Sequence, residues 1–160
     1  MKEIPLSRGL VALCDDEDFE QLSAFSWCAV RTPKANTFYA ASHLGKKLNQ
    51  PKTMHRFLMP GVPRIDHKNR NGLDNRRENL RSCSASQNIS NSKLFRHNTT
   101  GYRGVVKIKG SEPARYLSRL KLNGKQLYFG TYNDPREAAL VRDAKALELL
   151  GEFASLNFEK

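Results

Sequence analysis

The chain has 160 residues, enough for one ordinary domain or two small ones, and its 39% hydrophobic content is globular. The formal net charge of +11 is spread unevenly, +1 over residues 1–54, +6 over 55–99 and +4 over 100–160. A basic excess of this size suits a polyanionic partner, because each neutralised phosphate releases condensed counterions. No apolar run approaches membrane-spanning length and the start lacks a signal-peptide pattern, so an intracellular protein is expected. Cys14, Cys28 and Cys83 stand apart with no C-x-x-C pair. That argues against structural zinc or a disulfide framework and suits a reducing cytoplasm.

In chain order, "GLVALC" (residues 9–14) reads as a strand, and "DDEDFEQLSAF" (15–25) as a helix opening on acidic residues. The acidic run 15–18 reads as a solvated helix start rather than a metal site. "SWCAVRT" (26–32) and "TFYAASHL" (37–44) form a hairpin through the turn formers "PKAN". Residues 1–54 are therefore expected to pack as a small α+β support. Next comes "TMHRFLM", a short amphipathic piece stopped by "PGVP".

Residues 64–88, "RIDHKNRNGLDNRRENLRSCSASQN", are too polar for a core segment. "RIDH" is strand-like, the following residues are turn formers, and "NLRSC" returns as a second strand. Ser84 with Gln87 three places on forms a capping-box pattern, so Asn88 falls in the first turns of a helix. The order is strand, polar loop, strand, helix.

After the polar hinge "FRHNTTG" (95–101), three strands are expected in "YRGVVKIKG", "ARYLSRLKLNG" and "KQLYFGTY", the last two joined at Asn123-Gly124. In the middle strand Tyr116, Leu120 and Leu122 share one face, and Arg115, Arg119 and Lys121 the other. "DPREAALVRDAKALELLG" is a punctuated helix, with Asp134 as cap, Pro135 in the first turn, Glu137 completing the box and Gly151 ending it. The fold class expected is α+β: a support (1–54), a ββα unit (55–97), and a three-stranded antiparallel sheet packed on one helix (100–160). The other face of that sheet is left basic, which packing does not require.

Cutting a phosphodiester with few parts needs a hard-oxygen cation site and a neutral imidazole to take a proton from water. Asp66, His67 and Asn88 supply those types, and alternation sends Asp66 and His67 to opposite faces of their strand.

The motifs "DH" (Asp66, His67), "ENLR" (Asn79, Leu80, Arg81) and "SQN" (Asn88) resemble the His-Asn-His (ββα-metal, HNH) endonuclease family. The likeness is to the homing-endonuclease branch of bacteriophages and their hosts. The resemblance implies that Asp66 and Asn88 ligate one Mg²⁺ or Mn²⁺, that His67 is the general base, and that Asn79 fixes the loop through backbone hydrogen bonds. "MHR" also recurs in that family, and a helix-start role is read for His55. Arg56, Arg76 and Arg81 are candidate clamps for flanking phosphates, with surface solvation the alternative.

Residues 100–158 are similar to the plant ethylene-response-factor (ERF, APETALA-two) DNA-binding domain in "YRGV", "YLSRLK", "FGTY", "REAAL" and "LNF". That resemblance implies duplex contacts from Arg103, Arg119, Lys121, Gln126 and Tyr128. Val106 and Ile108 replace arginines of the plant family and Tyr116 its tryptophan, so base specificity does not transfer. Lys107 and Lys109 are candidate phosphate contacts, which set register rather than sequence.

The function expected is a metal-dependent DNA endonuclease, homing or free-standing, acting on double-stranded DNA in the bacterial host cytoplasm. With one metal-site motif, a monomer or weak dimer would nick. The alternative is a catalytically decayed DNA-binding regulator. Binding or cleavage of RNA is a third reading, although a sheet that reads a wide major groove should prefer duplex DNA.

Overall fold

The computed structural model describes residues 1–32, 37–42, 52–92, 94 and 97–158. The fold mixes helices with antiparallel sheets, as expected for α+β, and the chain forms two compact units, Met1–Cys83 and Ser84–Lys160.

In the first unit β1 (Lys2–Pro5) pairs antiparallel with β2 (Val11–Cys14), and α1 spans Asp16–Ser23. Strand β3 (Cys28–Thr32) pairs with β4 (Thr37–Ser42), and the two-residue β5 (Lys52–Thr53) adds to β4. The "PKAN" turn and the end of "TFYAASHL" lie outside the described residues. Helix α2 (Met54–Leu58) follows, then β6 (Ile65–His67) paired with β7 (Leu80–Ser82). β1 and β5 were not expected; each offers too few residues to show an alternating pattern, and Ile4 alone is buried in β1.

One core runs through the whole first unit. Leu22, Trp27 and Ala40 share it with Met54, Leu58 and Leu80, and Phe25, Trp27 and Phe57 meet edge to face at 5.2–6.3 Å. Backbone bonds also join β2 to the polar loop: Leu13 N–H to the Leu73 carbonyl at 2.8 Å, and Asn75 N–H to the Leu13 carbonyl at 2.9 Å. The expected division after residue 54 therefore does not appear, because apolar residues from both sides of it fill a common interior. The expected 55–97 segment is instead divided after Cys83.

The acidic start of α1 is a second correction. Asp18 is in phase with Leu22 on the inner side of the helix, and both are buried. It accepts from Arg77 Nε at 2.8 Å and Nη2 at 2.7 Å, while Asp15 accepts the Arg77 backbone N–H at 2.7 Å. A charge that burial would otherwise penalise is thus paired, and it pins the far end of the polar loop.

In the second unit α3 (Ala85–Ser90) opens on a complete capping box. Ser84 Oγ accepts from Gln87 N–H at 3.2 Å, and Gln87 Oε1 accepts from Ser84 N–H at 2.7 Å. Strands β8 (Val105–Lys107), β9 (Tyr116–Leu122) and β10 (Lys125–Tyr132) form an antiparallel sheet in the order β10-β9-β8. Asn123 and Gly124 turn the β9–β10 hairpin with φ of 49° and 81°, the left-handed pair such a turn needs.

Helix α4 (Pro135–Leu150) is capped by Asp134, which accepts from Arg136 N–H at 2.9 Å, and Gly151 ends it at φ 54°. The return bond expected from Glu137 is not formed among the described residues. Ala138, Ala139 and Ala146 are fully buried, and their small side chains let α4 lie close over Val105 and Leu120. Asn157 ties the closing "LNF" to "YRGV": its Oδ1 accepts from Arg103 N–H at 2.6 Å, and its Nδ2 donates to the Arg103 carbonyl at 3.1 Å and to Asp143 Oδ1 at 3.0 Å. Among the described residues no helix is long and apolar enough to cross a membrane.

Candidate active site

The β6–β7 hairpin fixes Asp66 opposite Arg81 and His67 opposite Leu80. Asp66 and His67 project to different faces, and each meets a different environment. Asp66, 6% exposed, accepts at Oδ2 from Arg81 Nε at 3.0 Å and Nη2 at 2.9 Å. His67, 5% exposed, lies among rings: its centroid is 5.0 Å from that of His55 and 5.7 Å from that of Tyr39.

Asn75 decides how the imidazole is used. This residue is fully buried, and its Nδ2 donates to the Leu73 carbonyl at 3.2 Å, which leaves Oδ1 facing His67 Nε2 at 3.4 Å. An amide oxygen only accepts, so Nε2 carries the hydrogen and Nδ1 carries the lone pair of the neutral ring. Burial pushes His67 below the ordinary imidazole range, against the opposing pull of the Asn75 bond and of Asp66 and Asp74. A base is useful only while unprotonated, and this environment keeps it so.

His55 adds to that environment. Its Nε2 lies 3.1 Å from Thr53 Oγ1, its Nδ1 is buried without a partner among the described residues, and its ring stands edge-on to both Tyr39 and His67. Burial first, then His67 and Arg56, lower its pKa to about 3. Gly72 closes the group from the loop side. A Cβ there would come 2.5 Å from the Phe38 carbonyl oxygen and 2.7 Å from two Tyr39 ring carbons. The loop can therefore reach the Tyr39 ring only with glycine at this position.

The polar loop is held by its own side chains. Asn79, 6% exposed, accepts from Asn69 N–H at 3.0 Å and donates to the Asp74 carbonyl at 2.7 Å. Asp74 accepts from Asn69 Nδ2 at 2.8 Å and from Arg76 Nε and Nη2 at 2.8 and 2.7 Å; the Arg76 bonds are the main reason its carboxyl sits below the usual range. A stretch that reads as structureless from its composition is thus a closed network.

The expected residues fall into two groups. Asp66, His67, Asn79, Arg76 and Arg81 gather on the hairpin and its loop, while Asn88 lies on α3 in the second unit. Arg76 and Arg81 pair with Asp74 and Asp66, so their expected clamp role is corrected to an internal one, each guanidinium answering a buried carboxylate. Arg56 is exposed and forms no ion pair among the described residues.

On the sheet, Arg119 stands opposite Tyr128 and Lys121 opposite Gln126, so these four side chains form one cross-strand patch on the face away from α4. Tyr128 is 62% exposed. Arg103 donates through Nη2 to the Ser92 carbonyl. Lys107 is paired with Tyr116, whose ring packs on the α4 side, so alternation puts Lys107 on the other face from the patch. Lys109 lies exposed beyond β8.

Asp66 supplies a carboxylate, a hard oxygen ligand of the kind that suits Mg²⁺ or Mn²⁺; Asn88, the other expected ligand, belongs to the second unit. Among the described residues no three His, Cys, Asp or Glu side chains gather as a metal centre.

No protein-family model matches the chain. Sequence reasoning missed Tyr39, Asn75, Gly72 and the His55–His67 contact. Asn75 had no distinguishing signal beside Asn69, Asn71 and Asn79. His55 had one, since a histidine shortly before an Asp-His strand is a candidate neighbour of that strand.

Proposed function

We propose that the protein is a divalent-cation-dependent DNA endonuclease that hydrolyses a phosphodiester bond and nicks duplex DNA, with Asp66 and His67 at the reacting centre. The observation that carries this reading is one adjacent pair split between two environments. The carboxylate is aligned by Arg81, and the imidazole is kept neutral by burial and oriented by Asn75. His67 Nδ1 accepts the proton of the attacking water, and the ring then returns it to solvent. Asp66 would supply the carboxylate to one Mg²⁺ or Mn²⁺, which when bound supplies charge stabilisation at the phosphate oxygens. Asn79 keeps the loop closed around the imidazole, and exposed Arg56 neutralises a neighbouring phosphate. In-line attack of water leaves 5′-phosphate and 3′-hydroxyl ends.

The patch of Arg119, Lys121, Gln126 and Tyr128 supports duplex binding by the second unit. Two cations and two hydrogen-bonding side chains on a flat strand pair match phosphates and base edges in a wide groove.

The test is relaxation of supercoiled plasmid in Mg²⁺ or Mn²⁺. Nicked circles are expected, with the rate falling about 10²–10⁴-fold in His67→Ala, the usual worth of a general base. Equal relaxation by wild type and His67→Ala would remove His67 from the chemistry. Duplex binding without cleavage in either cation would leave the DNA-binding regulator.

A further inference from the structure

Tyr39 stands on β4 opposite Val30, on the face of the sheet turned away from Ala40 and the core it joins. The same face carries the histidines of the first unit. The Tyr39 ring centroid lies 5.7 Å from that of His67 and 5.6 Å from that of His55. The polar loop closes on its flank, where a Cβ at Gly72 would come 2.7 Å from Tyr39 Cδ1 and Cε1. The ring is therefore held from the strand, the loop and both imidazoles. For that packing alone phenylalanine would serve as well.

The hydroxyl is what packing leaves unexplained. It forms no hydrogen bond among the described residues, yet it is not sealed inside the fold: Tyr39 is half-buried and its phenol oxygen keeps contact with solvent. Burial first, then the negative charge of Asp66, push the phenol above its ordinary range. The group thus keeps its proton and stands within the field of the carboxylate beside His67.

A phosphodiester at that carboxylate needs a donor. As water attacks, negative charge builds on the non-bridging oxygens, and a donor already aimed at them stabilises it. The two arginines nearest in the fold are committed, Arg76 to Asp74 and Arg81 to Asp66. His67 offers a lone pair, and its N–H is taken by Asn75. The Tyr39 O–H is what this set lacks. Being neutral, it can stand beside Asp66 without repelling a divalent cation, as a further guanidinium would.

We infer that the Tyr39 hydroxyl is a catalytic group of this site, donating its O–H to a non-bridging oxygen of the scissile phosphate. This role rests on the nuclease reading above. Tyr39 transfers no proton: water forms the new bond to phosphorus, the bond to the 3′ oxygen breaks, and the O–H stays on the phenol throughout.

Tyr39→Phe tests it, because the substitution removes one oxygen and keeps the ring beside His55, His67 and Gly72. Wild type, Tyr39→Phe and His67→Ala are given supercoiled plasmid in Mg²⁺ or Mn²⁺ under single-turnover conditions, with the folded fraction read by Trp27 fluorescence. The nicking rate at saturating protein should fall about 10–100-fold in Tyr39→Phe, the worth of a hydrogen bond to developing charge. The half-saturating protein concentration should stay unchanged, as it does when an interaction is made only in the transition state. The ratio of wild-type to variant rates should also stay level between about pH 7 and pH 9, where a protonated phenol does not titrate. A ratio that changes with pH overturns the donor role. An unchanged rate in Tyr39→Phe, with His67→Ala slow, overturns this inference alone. No nicking by the wild type, or equal nicking by His67→Ala, overturns the nuclease reading and this role with it. A Tyr39→Phe chain that no longer folds assigns the hydroxyl to the fold and removes it from the reaction.

Discussion

Acidification should unfold the first unit through buried His67 and half-buried His55, and His55 sets a magnitude. In the fold its pKa is about 3, against 6.5 for the free side chain. Below pH 6.5 the unfolded chain takes up a proton that the folded chain refuses. Unfolding therefore binds protons, and stability falls with pH. The stabilisation is complete above the unfolded value and is lost as pH drops toward the folded one. At about pH 5 the free imidazole is almost wholly protonated and the folded one is not, which costs about 2 kcal/mol for this one group. His67, also pushed down by burial, adds to the slope in the same direction.

Urea titration followed by Trp27 fluorescence reads this unit, since that single tryptophan sits in its core. The informative variant is His55→Phe, which keeps a ring beside Tyr39 and His67 but cannot take a proton. Between about pH 8 and pH 5 the wild type should lose about 2 kcal/mol more than the variant. Parallel curves for the two proteins would refute the assignment of half-buried, neutral His55.

Asn79→Ala should destabilise the first unit by about 2–4 kcal/mol, because Asn69 N–H and the Asp74 carbonyl lose their partner together; urea midpoints check it, and a nicking rate that falls further than stability does would mark the loop's positioning role. Arg77→Ala leaves Asp18 buried and unanswered, and since Arg77 is itself half exposed the expected loss is about 1–3 kcal/mol. A change under about 0.5 kcal/mol, ordinary for surface substitutions, would show Asp18 to be solvated after all. Gly72→Ala forces a methyl into the Phe38 carbonyl and the Tyr39 ring, an overpacking cost of about 1–3 kcal/mol. The nicking rate should fall with it as Tyr39 presses on His67, and an unchanged rate in a folded variant would separate the ring from the reaction.

Much of the architecture was legible because it rests on local rules. The turn at Asn123-Gly124, the Ser84–Gln87 box, the Asp134 cap and the two faces of β9 follow from backbone preference and strand periodicity, which nearby residues decide. The Asp66–His67 pair and the polar loop could be found for the same reason, as short-range patterns. What the sequence could not supply were contacts between distant positions. Asp18 meets Arg77, Gly72 meets Tyr39, His55 meets His67 and Gly104 meets Arg142 only because packing of one interior brings them together. Local composition makes Asp18 look solvated and Arg81 look available. Burial and pairing, which belong to the tertiary structure, reverse both readings, since a charge removed from water must find its partner inside the fold.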